Sequence, residues 1–176
     1  MKNTINQSFL LENKSLSKKF INNLTINGKK LKASSIFYKL LNNIKKKHTQ
    51  YEVRSLKNEI FKQKNIKCNE NNKINKILYK AINNIRPSLE VRKVRIAGTT
   101  YNVPAILSKK KQENLAIKWL LVSAKNKKKK YKNDFSDCLA YEIYDAYKYQ
   151  GQSIVKRDEL HKIAELNRAY IRYRWW

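Results

Sequence analysis

Turn formers, thiols and acids are all scarce in this chain. Its 176 residues include three glycines, two prolines, two cysteines and thirteen Asp or Glu. The glycines are scattered, so no Gly-rich phosphate loop and no hydrolase elbow can be built from them. Cys68 and Cys138 lie far apart without Cys-x-x-Cys or Cys/His ligand spacing, which argues against zinc. The plain reading is two reduced thiols, although one disulfide between them remains compatible with the sequence. No run of about 18 apolar residues occurs, so no spanning helix is expected. His161 stands among helical basic residues without a carboxylate pair, nucleophile or metal partner. General acid–base work needs a positioned reactive neighbour, so His161 is read as a structural or partner-contacting group and the chain as no enzyme.

What fills the space is positive charge. Lys and Arg number 40, for a formal net charge of +27. Residues 1–85 carry 19 basic and 4 acidic groups, and residues 86–176 carry 21 and 9. The surplus therefore spans both halves rather than forming a tail. A globule so charged repels itself, and a polyanionic partner is the simplest explanation. Basic residues flank every apolar segment, whereas a juxtamembrane cluster would form one block. Nucleic acid is thus favoured over a membrane surface.

The bases are 32 Lys but only 8 Arg, beside 21 Asn, as an adenine- and thymine-rich coding genome would produce. The start, Met1-Lys2-Asn3-Thr4-Ile5-Asn6, has neither the Arg-rich amphipathic pattern of a transit peptide nor a secretory apolar region. Together these point to translation inside an organelle, a mitochondrion first, with a plastid or an adenine- and thymine-rich bacterium as alternatives. Lysine under such mutation pressure can be a mere solvated charge. Arginine cannot be exchanged for it where a rigid fork or stacked plane is needed. Arg86, Arg92, Arg95, Arg157, Arg168, Arg172 and Arg174 therefore rank above any single lysine.

The periodicity predicts a mainly α protein: a six-helix, bundle-like domain with a protruding two-stranded antiparallel β-ribbon between helices 3 and 4. Residues 1–14 read as an extended basic arm and 15–176 as one domain. Ser15 can cap a helix bearing Leu16, Phe20 and Leu24, closed by Asn27-Gly28 in the left-handed region. A second helix runs from about Lys30 to Lys47 on Ala33, Phe37, Leu40, Leu41 and Ile44. Ile74, Ile77, Leu78, Ala81, Ile82 and Ile85 form the cleanest stripe, ended by Pro87, which pushes its predecessor out of the helical region. Residues 89–107 change period and are rich in valine and threonine, with Gly98 for a turn, hence a ribbon. Such a ribbon has little stability alone, so it should project and be held by a partner. Ala97 would strain a two-residue turn, which favours a three-residue loop with Gly98 left-handed. Helices resume over about Glu113–Lys125, apolar nearly all round and so central, and over Asp134–Tyr149, with Asn133 as candidate cap. The latter buries Phe135, Leu139, Ile143, Ala146 and Tyr147. After Gly151 the last helix should dock Leu160, Ile163 and Ala164.

That last helix leaves Lys156, Arg157, Lys162, Arg168, Arg172 and Arg174 outward, with Tyr173 and Trp175 set between the later ones. Guanidinium forks grip phosphates, and flat rings stack on bases. The segment Lys156-Arg157 through His161-Lys162, Ala164-Glu165 and Asn167-Arg168-Ala169 to Tyr173-Arg174-Trp175 closely resembles the end of the small-subunit ribosomal protein seven family. Three more blocks follow the family order: Arg86-Pro87-Ser88-Leu89-Glu90-Val91 through Gly98-Thr99-Thr100-Tyr101-Asn102-Val103-Pro104; Leu115-Ala116-Ile117-Lys118-Trp119-Leu120; and, more weakly, Asn27-Gly28-Lys29-Lys30. The stretch 48–73 departs as an insertion, about twenty residues longer than the usual connection, of the kind loops tolerate. Val53, Leu56, Ile60 and Phe61 could form an added helix in it, with Asn65–Asn75 mobile unless docked. Val94 and Ala97 stand where the family often has Arg and Gly.

The resemblance implies a structural constituent of the small ribosomal subunit. Such a protein binds the 3′ major domain of small-subunit rRNA and nucleates head assembly, and its ribbon lies near the exit-site tRNA and the mRNA exit. Its neighbours would include ribosomal proteins nine and eleven. No cofactor is implied, and Mg2+ enters only through the rRNA. The candidate rRNA contacts are Lys29, Lys30, Arg86, Lys109, Lys110, Lys111, Lys118, Lys125, Lys127, Lys128, Lys156, Arg157, Arg168, Arg172, Tyr173, Arg174 and Trp175. By the same resemblance, Arg92, Lys93, Arg95, Gly98 and Tyr101 would face tRNA and mRNA from the ribbon. Lys109–Lys111 would lie where the ribbon returns to the helices, and Lys125 with Lys127–Lys130 would form a loop; charge runs are otherwise merely solvated. Trp119 sits in an apolar helix and is read as core. Two other functions stay open: a translational repressor on its own mRNA, and an architectural DNA-compacting protein.

Overall fold

The computed structural model describes residues 16–58 and 70–175. The arm 1–14, Ser15, the stretch 59–69 with Ile60, Phe61 and Cys68, and Trp176 lie outside the described residues. Helix α1 (16–24) is followed by α2 (Lys30–Asn58), α3 (Glu70–Ile85), β1 (Leu89–Ile96), β2 (Thr99–Ile106), α4 (Lys109–Tyr131), α5 (Phe135–Tyr147), α6 (Gln152–Leu166) and a 3-10 helix η1 (Arg168–Tyr173). The protein is mainly α, with its antiparallel ribbon between α3 and α4, as the periodicity required.

The helical stripes close on one another. Leu16, Phe20 and Leu24 of α1 meet Phe37, Leu40 and Ile44 of α2, Ile77, Ala81 and Ile85 of α3, Ile117 and Leu120 of α4, Leu139 and Ile143 of α5, and Ile154 of α6. The central helix is α5, against which α2, α3, α4 and α6 all pack. The sequence had pointed to α4. Its middle is buried at Ala116, Ile117, Leu120, Leu121 and Ala124, but both its ends are lysine runs that must stay in water. Trp119 packs half-buried against the core, as read. Cys138 is a free, buried thiol.

Several boundaries move for local reasons. Helix α2 runs on to Asn58, so Val53 and Leu56 continue it rather than start a new helix, and Glu70–Asn75 belong to α3. Helix α4 takes in Lys109–Lys111, expected where the ribbon returns to the helices, and Lys127–Lys130, expected in a loop. Lysine is a good helix former, and Lys128–Lys130 in the last turn suit the carbonyl end of the dipole. Lys132 (φ 55°) closes α4 in the left-handed region. Asp134, not Asn133, caps α5: its carboxylate accepts from the Phe135 amide at 2.8 Å and from Ser136 Oγ at 2.6 Å. The Ser136 bond holds that carboxyl below its usual pKa. Helix α5 ends at Tyr147. Helix α1 stops at residue 24, so Asn27 (φ 52°) and Gly28 (φ 71°) form the α1–α2 turn and do not cap the helix directly.

In the ribbon, Leu89 pairs with Ile106 at the root and Ile96 with Thr99 at the tip. Only Ala97 and Gly98 lie between, at φ 48° and 84°, so the turn is the two-residue primed type rather than a three-residue loop. The primed turn matches strand twist, and that gain outweighs the roughly 1 kcal/mol of left-handed strain on alanine. Ala97→Asn, which tolerates this region, should slow amide exchange across Arg95–Thr100 several-fold. Unchanged exchange would show that the turn carries no strain. The ribbon does not project freely along its whole length. Val103, Ala105 and Leu107 are buried, β1 packs on α6, and β2 packs on η1.

Candidate nucleic-acid interface

Helix α4 presents the longest cationic line. Lys111, Lys118 and Lys125 recur every seven residues and Lys129 continues the row, all exposed and on the side away from buried Ala116, Ile117 and Leu120. Seven residues advance a helix by about 10.5 Å with little rotation, so the first three span roughly 21 Å. None of these four has an acidic partner among the described residues. Lys109 and Lys110 stand exposed at the start of the helix, and Lys128 is exposed near its end. Lys29 lies exposed beyond the α1–α2 turn and Lys30 begins α2.

Lys127 behaves differently because it falls on the inner side of α4. Its Nζ lies 2.7 Å from Glu142 Oε2 and 2.6 Å from Asp145 Oδ2. Glu142 has no exposed surface, and its Oε1 accepts from the Ser153 amide at 2.9 Å and hydroxyl at 2.7 Å. Burial would push the Lys127 ammonium down, but the Asp145 and Glu142 contacts outweigh it and raise its pKa. Gly151 (φ 99°) belongs to this joint, since a Cβ there would stand 3.1 Å from both Asp145 Cβ and Glu142 Oε1. Glu142, Ser153 and Asp145 were missed in the sequence. Glu142 could have been found, being three residues from Leu139 and four from Ala146 on the apolar stripe of α5. Lys47 is a second inward lysine. Its Nζ stands 2.6 Å over the Tyr141 ring, and burial pushes it down to about 8 against the pull of Asp137 and Asp145.

Several arginines also work inside the protein. Arg157 is not outward: one arm donates to the Asn84 carbonyl, while Nε and Nη2 hold Asp158 at 2.8 and 2.6 Å. Asn84 Nδ2 in turn donates to the Ala146 carbonyl at 3.1 Å, so α6, α3 and α5 are joined at one point. Arg86 lies 3.6 Å from Glu113, which also binds Lys19 at 2.6 Å and ties α1 to the start of α4. His161 Nε2 accepts from the Ser88 amide at 3.3 Å and so fastens the ribbon root to α6, a structural use. In α6 Ala164 is buried and Leu160 half-buried, but Ile163 is 44% exposed. The docked row is Ile154, Arg157, His161 and Ala164, because the side toward α3 and β1 meets polar backbone ends as well as core.

The tail and the ribbon, treated separately in the sequence, come together here. A 3-10 helix has three residues per turn, so side chains at i and i+3 eclipse. Tyr170 and Tyr173 of η1 therefore stack, with ring centres 6.1 Å apart and planes at 14°. Both rings meet Tyr101 of β2, at 5.0 and 5.2 Å. Arg172 lies 5.1 Å over the Tyr173 ring. Arg168, Arg172 and Arg174 are exposed, as are Lys93, Arg95 and Gly98 on the ribbon, while Lys156 is half-buried. Arg92 pairs with Glu90 at 2.5 Å. No helix among the described residues is long and apolar enough to cross a membrane.

A basic helical body with one splinted ribbon and a line of unpaired lysines describes a class of charged scaffold, and comparison with known proteins narrows it. The profile of the family described as ribosomal protein S7p/S5e matches residues 2–168. The small ribosomal subunit protein uS7m of Prototheca wickerhamii is 38% identical over 91% of this chain and 89% of its own length. The uS7 protein of Pelagibacter ubique is 36% identical over 93% and 88%, and the uS7m protein of Marchantia polymorpha 36% over 93% and 61%. The chain belongs to the ribosomal protein S7 family of the small subunit, a family of structural ribosomal proteins rather than enzymes.

Proposed function

We propose that this protein binds small-subunit rRNA in a mitochondrial ribosome and there organises the head around the 3′ major domain. The observation that carries the reading is the row Lys111, Lys118, Lys125 and Lys129, exposed and without carboxylate partners among the described residues, whereas the inward-facing Lys127 on the same helix is matched by Glu142 and Asp145. Such a ridge neutralises phosphates of a folded RNA by position and shape rather than by sequence. The ribbon, held at its root by His161 and along its face by the tail, is stiff enough to reach toward the exit-site tRNA and the mRNA exit. Ribosomal proteins nine and eleven are the expected neighbours, the matrix the expected compartment, and Mg2+ held by the RNA the only ion required. The mitochondrial placement is supported by relatives named uS7m, although bacterial uS7 proteins match as well.

Binding of the full chain to its cognate rRNA fragment should fall steeply with salt, with a log–log slope of several units at roughly 0.7–0.9 per phosphate. In magnesium-containing lysate the protein should sediment with the small subunit. Sedimentation with nucleoid DNA, or in a free complex with its own mRNA, would favour the compaction or repressor reading instead.

A further inference from the structure

The tail does more than add charge beside the ribbon. Trp175 is 81% exposed, and with Arg92, Lys93, Val94 and Arg95 it encloses an open hollow of about 360 Å³. We propose that this hollow is a slot for one unpaired RNA nucleotide, its base stacked on the Trp175 ring and its phosphate held by Arg95 and Lys93. The inference rests on the RNA-binding reading above and adds the class of ligand this end of the molecule takes.

Three observations lead to it. First, the ring is largely exposed beside a cationic strand. A base stacked on an indole gains a sequence-tolerant contact, and only an unpaired base has a free face to offer. Second, the slot sorts its charges. Arg92 is already paired with Glu90 at 2.5 Å, whereas Lys93 and Arg95, which also line the hollow, are exposed. The phosphate ligands are therefore Lys93 and Arg95, and Val94 with Arg92 forms a neutral floor. Third, the slot is assembled rather than accidental. Val94 pairs with Tyr101 across the ribbon, and Tyr101 is where Tyr170 and Tyr173 dock. The eclipsed tyrosine pair fixes the tail two residues before Trp175 and so sets the indole against β1. Tyr170 and Tyr173 are thus positioning residues: they hold the wall without touching the ligand.

The test uses the full chain and a single-stranded RNA hexanucleotide, with a duplex of the same sequence and the folded rRNA fragment as comparisons. Trp175→Ala should weaken hexanucleotide binding about 5- to 150-fold, the range for losing one stacked base, while Trp175→Phe keeps most of the affinity. Tyr173→Ala should cost nearly as much although it lies outside the slot, and Trp175→Ala with Tyr173→Ala should cost no more than either alone. Duplex affinity should stay the same in all of them. If Trp175→Ala binds the hexanucleotide as wild type does, the slot is overturned; if it weakens duplex and hexanucleotide equally, the indole supports the tail in general rather than stacking on an unpaired base, and the slot is again overturned. A loss with Trp175→Ala but none with Tyr173→Ala would overturn the positioning role. Persistent salt-dependent binding to the folded fragment in these failures leaves the general RNA-binding reading intact. Absence of that binding in the unaltered chain would remove both.

Discussion

Lys127→Ala is expected to lower the stability of the protein by about 3–5 kcal/mol, the usual cost of stripping the partner from a buried charge. Lys128→Ala, one residue on, should change it by less than about 0.5 kcal/mol, as exposed positions do. The cause is the helical phase of α4. Lys127 follows Ala116, Leu120 and Ala124 at intervals of four, four and three, so it enters the interior, where Glu142 has no exposed surface. Without the ammonium, Glu142 Oε2 loses its ion pair at 2.7 Å, and Ser153 still satisfies only Oε1. In a chain of this length each kcal/mol shifts the thermal midpoint by about 2–4 °C, so a drop of roughly 10 °C should be seen. Lys127→Met combined with Glu142→Gln removes both charges and should recover much of the loss. If Lys127→Ala melts like wild type but binds RNA more weakly, the lysine is a phosphate ligand and the buried joint does not matter.

The same contrast shows what a sequence of this kind reveals. Ile74, Ile77, Leu78, Ala81, Ile82 and Ile85 announce α3 because a single apolar row against polar neighbours has one solution in a helix, and all six are buried. A run such as Lys127–Lys130 has no internal contrast. Whether it is loop or helix depends on whether α4 continues, and only that continuation gives its four lysines different destinies. The turn at Ala97-Gly98 was misread because the strain on alanine was visible locally, whereas the advantage of a primed turn came from the twist of strands on either side. The ranking of arginine over lysine met a related limit. The need for a rigid fork was real at Arg157, which uses its donors on the Asn84 carbonyl and Asp158, and at Arg92, which grips Glu90. The acceptors were inside the protein, and composition cannot distinguish a carbonyl or carboxylate from a phosphate. Tyr173 was visible as a tail aromatic, but its row with Tyr170 follows a three-residue period that a search for 3.6 passes over.

The exposed side of α4 should dominate affinity, and replacing Lys111, Lys118 and Lys125 together by Gln isolates it. Glutamine matches lysine closely in helix propensity, and all three positions are exposed and away from the core. The fold and its thermal midpoint should therefore stay within about 0.5 kcal/mol and a few degrees of wild type. Three lost phosphate contacts lower the log–log salt slope by about two to three units, and near physiological salt that is on the order of a hundredfold in affinity. Because the contacts are made by position, binding to cognate and unrelated folded RNAs should weaken by similar factors, with specificity little changed. Restoring one lysine at a time should return the slope in steps of less than about one unit each, wherever along the roughly 21 Å row it is placed. If the triple variant keeps the wild-type slope, the ridge faces solvent or protein in the particle, and the RNA surface must be sought on α1, α2 and the tail. If only one of the three lysines restores affinity, a single anchored phosphate has replaced the extended ridge, and the shape-reading mechanism fails with it.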